Sequence, residues 1–248
     1  MDYLNAKLSK LILFSTLFIN INVNSQELKG YIEYEASLKP IEVPMFELEK
    51  RKIKRETISK VKKILKNSSP VLFTLTFKGG ESVFSKKNVL EKEGINFTNI
   101  ISGKGVFYTN LKDKVLLHEK EFMNKPFLIS YPLTKWNLTQ EKKKIGSYVC
   151  FKALTKKEVS TKSGIKFIDV IAWYSPDLPI NLGPKEFNNL PGLVLELEEG
   201  DMLKYRALKI DYNYDKEVIL EVPHKGDRIT LKEFDKTVKL MVKKHRNY

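Results

Sequence analysis

Cysteine, histidine and arginine are all scarce in this sequence. One cysteine, Cys150, occurs in 248 residues. No internal disulfide can form, so stability has to come from packing, and the residue reads as a buried thiol or a reactive one. The three histidines, His118, His224 and His245, are scattered. None stands at the four-residue spacing with a glutamate that a helical zinc hydrolase site needs. His118 alternates with apolar neighbours and reads as a structural strand residue, whereas His224 beside Pro223 reads as a turn residue. Arginine is confined to Arg51, Arg55, Arg206, Arg228 and Arg246, although the formal net charge is +14. Base and phosphate readout favours the bidentate guanidinium. Charge carried on lysine therefore argues against nucleic acid as a partner. It points to a solvated surface or to peripheral contact with an anionic membrane or polysaccharide surface. A Gly-x-Ser-x-Gly elbow is missing, and Gly103-Lys104-Gly105 lacks the further glycine of a phosphate loop. No run is long and apolar enough to cross a bilayer.

What is present begins with an address. Lys7 and Lys10 precede an apolar run over residues 11–19, and Val23 and Ser25 are the small residues before a cut ahead of Gln26. That pattern is a secretory signal peptide over residues 1–25. No cysteine follows the run, so a lipid anchor is not indicated. The expected product is an exported single domain, residues 26–248, periplasmic or extracellular.

Strand-like alternation recurs along that domain. It is read over residues 31–38, 71–77, 106–109, 115–118, 127–131, 145–159, 166–174, 193–199, 203–212 and 218–222. Gly79-Gly80 marks a hairpin after the second run. Amphipathic helices are expected near residues 48–66 and 230–245, the latter opened by a capping box of Thr230 and Glu233. The first could pack on a sheet or lie on an anionic membrane surface. Closely spaced strands with tight turns imply a mainly β (α+β) fold. The preferred architecture is a large curved antiparallel sheet, an open half-barrel like the lipoprotein carriers, with two or more covering helices. Glu196 and Glu198 alternate with Leu193, Leu195 and Leu197, which reads as a solvated strand face. With Asp211 and Asp215 they are the available carboxylate pairs.

Between two of these strands lies a connector with Pro176, Pro179, Pro184 and Pro191 and with Gly183 and Gly192. A structureless loop of that length is uncommon inside a compact domain. The residues that single it out as a binding element are Trp173, Tyr174, Leu178, Ile180, Leu182, Phe187, Leu190 and Pro191. Its apolar side chains either plug one end of the sheet's interior or form the rim of an apolar groove.

The same residues carry a family resemblance. Trp173-Tyr-Ser-Pro-Asp-Leu-Pro-Ile180, Gly183-Pro184, Phe187 and Asn189-Leu-Pro-Gly-Leu-Val194 resemble the GLPGLI family of exported Bacteroidetes proteins. Ile145-Gly146, Tyr148, Cys150 and Lys152-Ala153 look like its second block. Asn189 replaces the first glycine of the name motif and Val194 its isoleucine. Asparagine is the next-best residue should position 189 need a positive φ. The resemblance implies a cell-envelope protein with no assigned activity and no catalytic residues to carry over.

The resulting expectation is a non-catalytic envelope protein without cofactor or metal. It would bind an apolar ligand, a lipid or acyl chain, or an outer-membrane transport component. The competing class is an envelope hydrolase using Cys150 or the clustered carboxylates.

Overall fold

The computed structural model describes residues 27–40, 54–89, 94–161, 164–212, 214 and 217–246. The signal peptide expected over residues 1–25 and the first part of the helix expected at 48–66 lie outside the described residues. In chain order the elements are β1 (Lys29–Leu38), α1 (Arg55–Asn67), β2 (Val71–Lys78), β3 (Glu81–Lys86), α2 (Phe97–Ile101), β4 (Val106–Asn110), β5 (Val115–Phe122) and β6 (Lys125–Ser130). There follow β7 (Asn137–Ile145), β8 (Tyr148–Thr161), β9 (Gly164–Ser175), β10 (Leu193–Glu199), β11 (Leu203–Asp211), β12 (Asp227–Thr230) and α3 (Leu231–Arg246). All twelve strands belong to one mixed sheet, ordered β12-β6-β5-β4-β3-β2-β1-β11-β10-β9-β8-β7, which does not close into a barrel. Neighbours are antiparallel except β12 and β6. The mainly β class is as expected.

Chain length forces the sheet to bend. β6 stands second in the order and β7 twelfth, ten strand spacings apart, or roughly 48 Å on a flat sheet. Only residues 131–136 connect them, and a chain of that length reaches roughly 25 Å at full extension. The two arms must therefore curl toward one another. The connector crosses the inner face, where Thr134 Oγ1 donates to the Glu186 carbonyl (2.8 Å) and Trp136 Nε1 to the Asn188 carbonyl (2.9 Å).

The inner face carries the main core. In β1, Ile32, Tyr34 and Ala36 point inward and are fully buried, while Glu33 and Glu35 alternate with them. Phe73 stacks on Phe84 with centroids 5.0 Å apart, and Tyr205 meets both edge-on. Core residues come from both arms, from Phe107 and Leu116 on one side to Ala153 and Ala172 on the other. A second core lies under α3, whose Phe234 packs edge-to-face on Phe127 at 5.2 Å. The capping box forms as expected: Thr230 N–H donates to the Glu233 carboxylate (2.8 Å) and Glu233 N–H to Thr230 Oγ1 (3.2 Å). α1 buries only Ile58 and leaves Val61 exposed, so its packing is slight.

Three readings change. Residues 137–144, not expected to form a strand, are β7, and the run read as 145–159 is split by a turn at Gly146-Ser147. β7 ends the sheet and its side chains are mostly solvated, so it lacks the apolar alternation of a half-buried strand. Residues 217–226 make no strand; β12 forms instead. β11 is already flanked by β1 and β10, so no free edge remains beside it for that run. Glu196 is not solvated: it is buried and paired with Lys143 and with Lys204 (3.0 Å). A register shift between Val194 and Glu196 breaks the alternation there.

Candidate functional site

The proline-rich connector, residues 176–192, lies on the inner face. Leu178, Ile180, Leu182, Phe187 and Leu190 are each at most 3% exposed and join the main core with Tyr174. Trp173 packs at the edge of that core under Lys143, whose Nζ is 4.4 Å from the ring centroid, and Pro191 is exposed. Six of the eight residues singled out in the sequence thus come together as packing, with Trp173 half-buried beside them and Pro191 outside.

Backbone geometry holds the connector in one shape. Its two legs pair through Asn189 N–H to the Asn181 carbonyl (2.9 Å) and Val194 N–H to the Leu182 carbonyl (3.1 Å). Asn189 has φ +70°, so the position held by glycine in the name motif is left-handed, and asparagine tolerates it. A Cβ on Gly192 would lie 2.1 Å from the Ser175 carbonyl oxygen, which excludes any side chain there. Buried Asn188 organises the tip: its Oδ1 accepts from Gly183 N–H (2.8 Å), and its Nδ2 donates to Thr109 Oγ1 on β4 (3.0 Å).

This tip carries the charges that the sequence reading passed over. Lys185 Nζ lies 2.6 Å from Glu199 Oε2, and Lys157 Nζ bridges Glu199 Oε1 (2.6 Å) and Glu186 Oε1 (2.8 Å). Burial acts to raise the Glu199 carboxyl, but the Lys185 and Lys157 ammoniums outweigh it and hold the group at about 2. Glu186 is likewise held below its ordinary value against burial, by Lys157 and Lys185. Burial pulls both lysines down and the carboxylates more than reverse it, so each sits above its ordinary value. All four groups are charged and the cluster is neutral. Breaking such a buried set by removing one member leaves an uncompensated charge.

The cluster forms the floor of a cavity of about 770 Å³ between α3, the β8 arm, β5 and the 101–104 segment. One wall is apolar: Leu231, Phe234, Val238 and Val242 of α3 face Ile101 and Phe107. His118 lines it too, stacked on Phe107 at 3.8 Å with Nε2 2.9 Å from the Lys104 carbonyl. Burial pushes the imidazole down to about 3, so it is neutral. A carbonyl only accepts, so the proton sits on Nε2 and Nδ1 is a bare acceptor. No protein group reaches that Nδ1 or Glu186 Oε2.

Nothing in the eight-residue set pointed here: Lys185 and Glu186 share its connector, but Lys157, Glu199 and His118 come from three other strands. The one available signal was Lys185-Glu186, a charged pair inside an otherwise apolar loop. Among the described residues, no group of three or more His, Cys, Asp or Glu is placed to hold a metal ion. Cys150 is fully buried and its thiol is pushed up to about 11 by burial. It is protonated at neutral pH, which is the inert form.

A family model described as a protein of unknown function (Porph_ging) matches residues 164–196, the stretch from β9 through the connector into β10. No curated protein matches the sequence. Solved structures of PNGF-II in space groups P21 and C2 are similar to this chain with TM-scores of 0.48 and 0.44, at 16% and 15% identity. The alignments cover 86% and 82% of this chain but 33% and 31% of theirs, so it spans about a third of that protein's length.

Proposed function

We propose that this is an exported, non-catalytic envelope protein of the GLPGLI type that holds an amphiphilic ligand between α3 and the inner face of the sheet. The observation that carries the reading is the cavity. It lies within the size range of small-ligand sites, with an apolar wall and a few convergent polar groups. The connector's apolar residues support the same architecture by filling the interior beside it, which leaves the polar tip, Lys185 and Glu186, at the ligand's end. An exported location rests on the signal peptide pattern. A hydrolase built on Cys150 is disfavoured by its protonated, buried thiol. The Glu196/Glu198 carboxylates are engaged by Lys143, Lys204 and Lys39.

Mass spectrometry of the protein purified from its native envelope tests the reading. A stoichiometric amphiphile, released on denaturation, is the expected result. Repeated recovery of empty protein that also fails to take up a neutral fluorescent probe such as N-phenyl-1-naphthylamine would refute it. An outer-membrane partner is the second reading. Phe167 and Ile165 favour it, since both stand exposed near the tip of the β8–β9 hairpin. Crosslinking from Phe167 to an envelope protein is its expected signature.

A further inference from the structure

We infer that the α3 cavity takes a single-chain amphiphile with an anionic headgroup, the shared chemistry of a fatty-acid carboxylate and a monoalkyl phosphate, and that the Lys120 ammonium holds that headgroup. The inference rests on the cavity reading above and goes further in naming the charge that the cavity selects.

Lys120 stands on β5 two residues beyond His118, so the two side chains share the strand face that lines the cavity. Its Nζ lies 5.1 Å from the ring centroid of Phe234, on the apolar wall. The residue is half-buried, so it keeps an open side toward the cavity. Among the described residues it makes no ion pair. Burial holds this ammonium below its ordinary value, Lys157 and Lys185 push the same way, and Asp235 and Glu186 only partly offset them. An anion beside Nζ relieves both the missing partner and the repulsion, which an uncharged or cationic headgroup cannot do.

The rest of the lining has the same sign. Lys157, Lys185, Glu186 and Glu199 neutralise one another in the cluster, so their charges are already matched. That leaves four lysines, Lys104, Lys120, Lys239 and Lys243, against two carboxylates, Glu158 and Asp235. Lys104, Lys239 and Lys243 are exposed, so water screens them and they steer an anion more than they hold it. Lys120 alone joins an unmatched ammonium to partial burial on an apolar wall. Phe234, Val238 and Val242 of that wall give a hydrocarbon chain a surface to lie on. The same excess of positive charge repels an alkylammonium and leaves an uncharged headgroup without a counterpart.

Displacement of N-phenyl-1-naphthylamine from the purified protein at about pH 7.5 tests this, using four ligands with one chain length: lauric acid, dodecyl phosphate, monolaurin and dodecylamine, each below its micelle concentration. The better of the two anions is expected to displace the probe at a concentration at least about tenfold lower than monolaurin or dodecylamine. The ranking of laurate against dodecyl phosphate then tells a fatty acid from a phosphate lipid as the source. Lys120→Met, which keeps the stem and removes the charge, should erase most of the preference for the anion, and Lys120→Glu should turn it toward dodecylamine. Lys232→Met removes a lysine of α3 that does not line the cavity, so the preference should survive it. Should a Lys120 variant fail to fold by circular dichroism, the four-ligand ranking on the unaltered protein and on Lys232→Met still decides. Equal displacement by anions and monolaurin, or a preference for dodecylamine, would overturn the anionic inference and leave the cavity reading standing. An equal loss of preference in Lys232→Met and Lys120→Met would overturn it too, since the charge of the whole chain would then be drawing the anion. Failure of the probe and of every ligand to bind would overturn the cavity reading itself.

Discussion

Acidification should unfold this protein earlier than its carboxylates alone would dictate, and His118 is the reason. Its imidazole is 5% exposed, stacked on Phe107, and held at about 3 by burial; Lys120 and Lys185 also disfavour a second proton, while the Lys104 carbonyl and Glu186 act the other way. An unfolded histidine titrates near 6.5. The folded value is the lower one, so the unfolded chain binds the proton first. The contribution is therefore complete above about pH 6.5 and is lost as pH falls toward 3. At about pH 5 the solution is roughly 1.5 units below the unfolded value, which costs about 2 kcal/mol. Glu199, held at about 2, adds only about 0.1–0.2 kcal/mol there, because an unfolded glutamate is still mostly ionised at that pH. Urea unfolding of the unaltered protein and of His118→Phe at about pH 7.5 and pH 5 isolates the effect. The unaltered protein should lose about 2 kcal/mol more than the variant over that interval, with unchanged m-values. Parallel losses in the two proteins would refute the claim that His118 is buried neutral.

Other perturbations read other parts of the site. Glu199→Leu takes Lys185's carboxylate partner away while Lys157 keeps Glu186, and should cost about 3–5 kcal/mol by urea unfolding, part of which Lys185→Met added to it should restore; a loss below about 1 kcal/mol would show that the cluster is hydrated. In the connector, Asn189→Gly should change stability by only a few tenths of a kcal/mol. Asn189→Val should cost about 1–2 kcal/mol, and Gly192→Ala more, since its methyl group would overlap the Ser175 carbonyl. Equal melting temperatures for all three variants would refute the left-handed geometry. Cys150 should react with a disulfide reagent only as fast as the protein unfolds; rapid labelling of the folded protein at neutral pH would revive the hydrolase reading.

Several elements were legible before any coordinates. β1 and β2 alternate residue by residue, and each forms where the alternation lies. Thr230 and Glu233 cap α3 because a capping box needs only four consecutive residues. The apolar residues of the connector had two possible fates, and burial was one of them. Position 189 required a left-handed residue, as the substitution of asparagine for glycine allowed. β7 was hidden because an edge strand with solvated faces carries no period. β12 was hidden because it depends on which edge was free.

By itself the sequence determined what neighbouring residues decide among themselves: most of the strands, the cap of the last helix, the stiff connector and the leader pattern. Only the tertiary structure decided where charge and cavity would lie. Lys157 reaches Glu186 and Glu199 from a different hairpin, and a register shift turned Glu196 inward. His118 became a bare acceptor because the chain 14 positions away put a carbonyl on its other nitrogen. These are contacts between segments that no local period encodes, and they exist because a short connector bends a twelve-stranded sheet until its two arms share one interior.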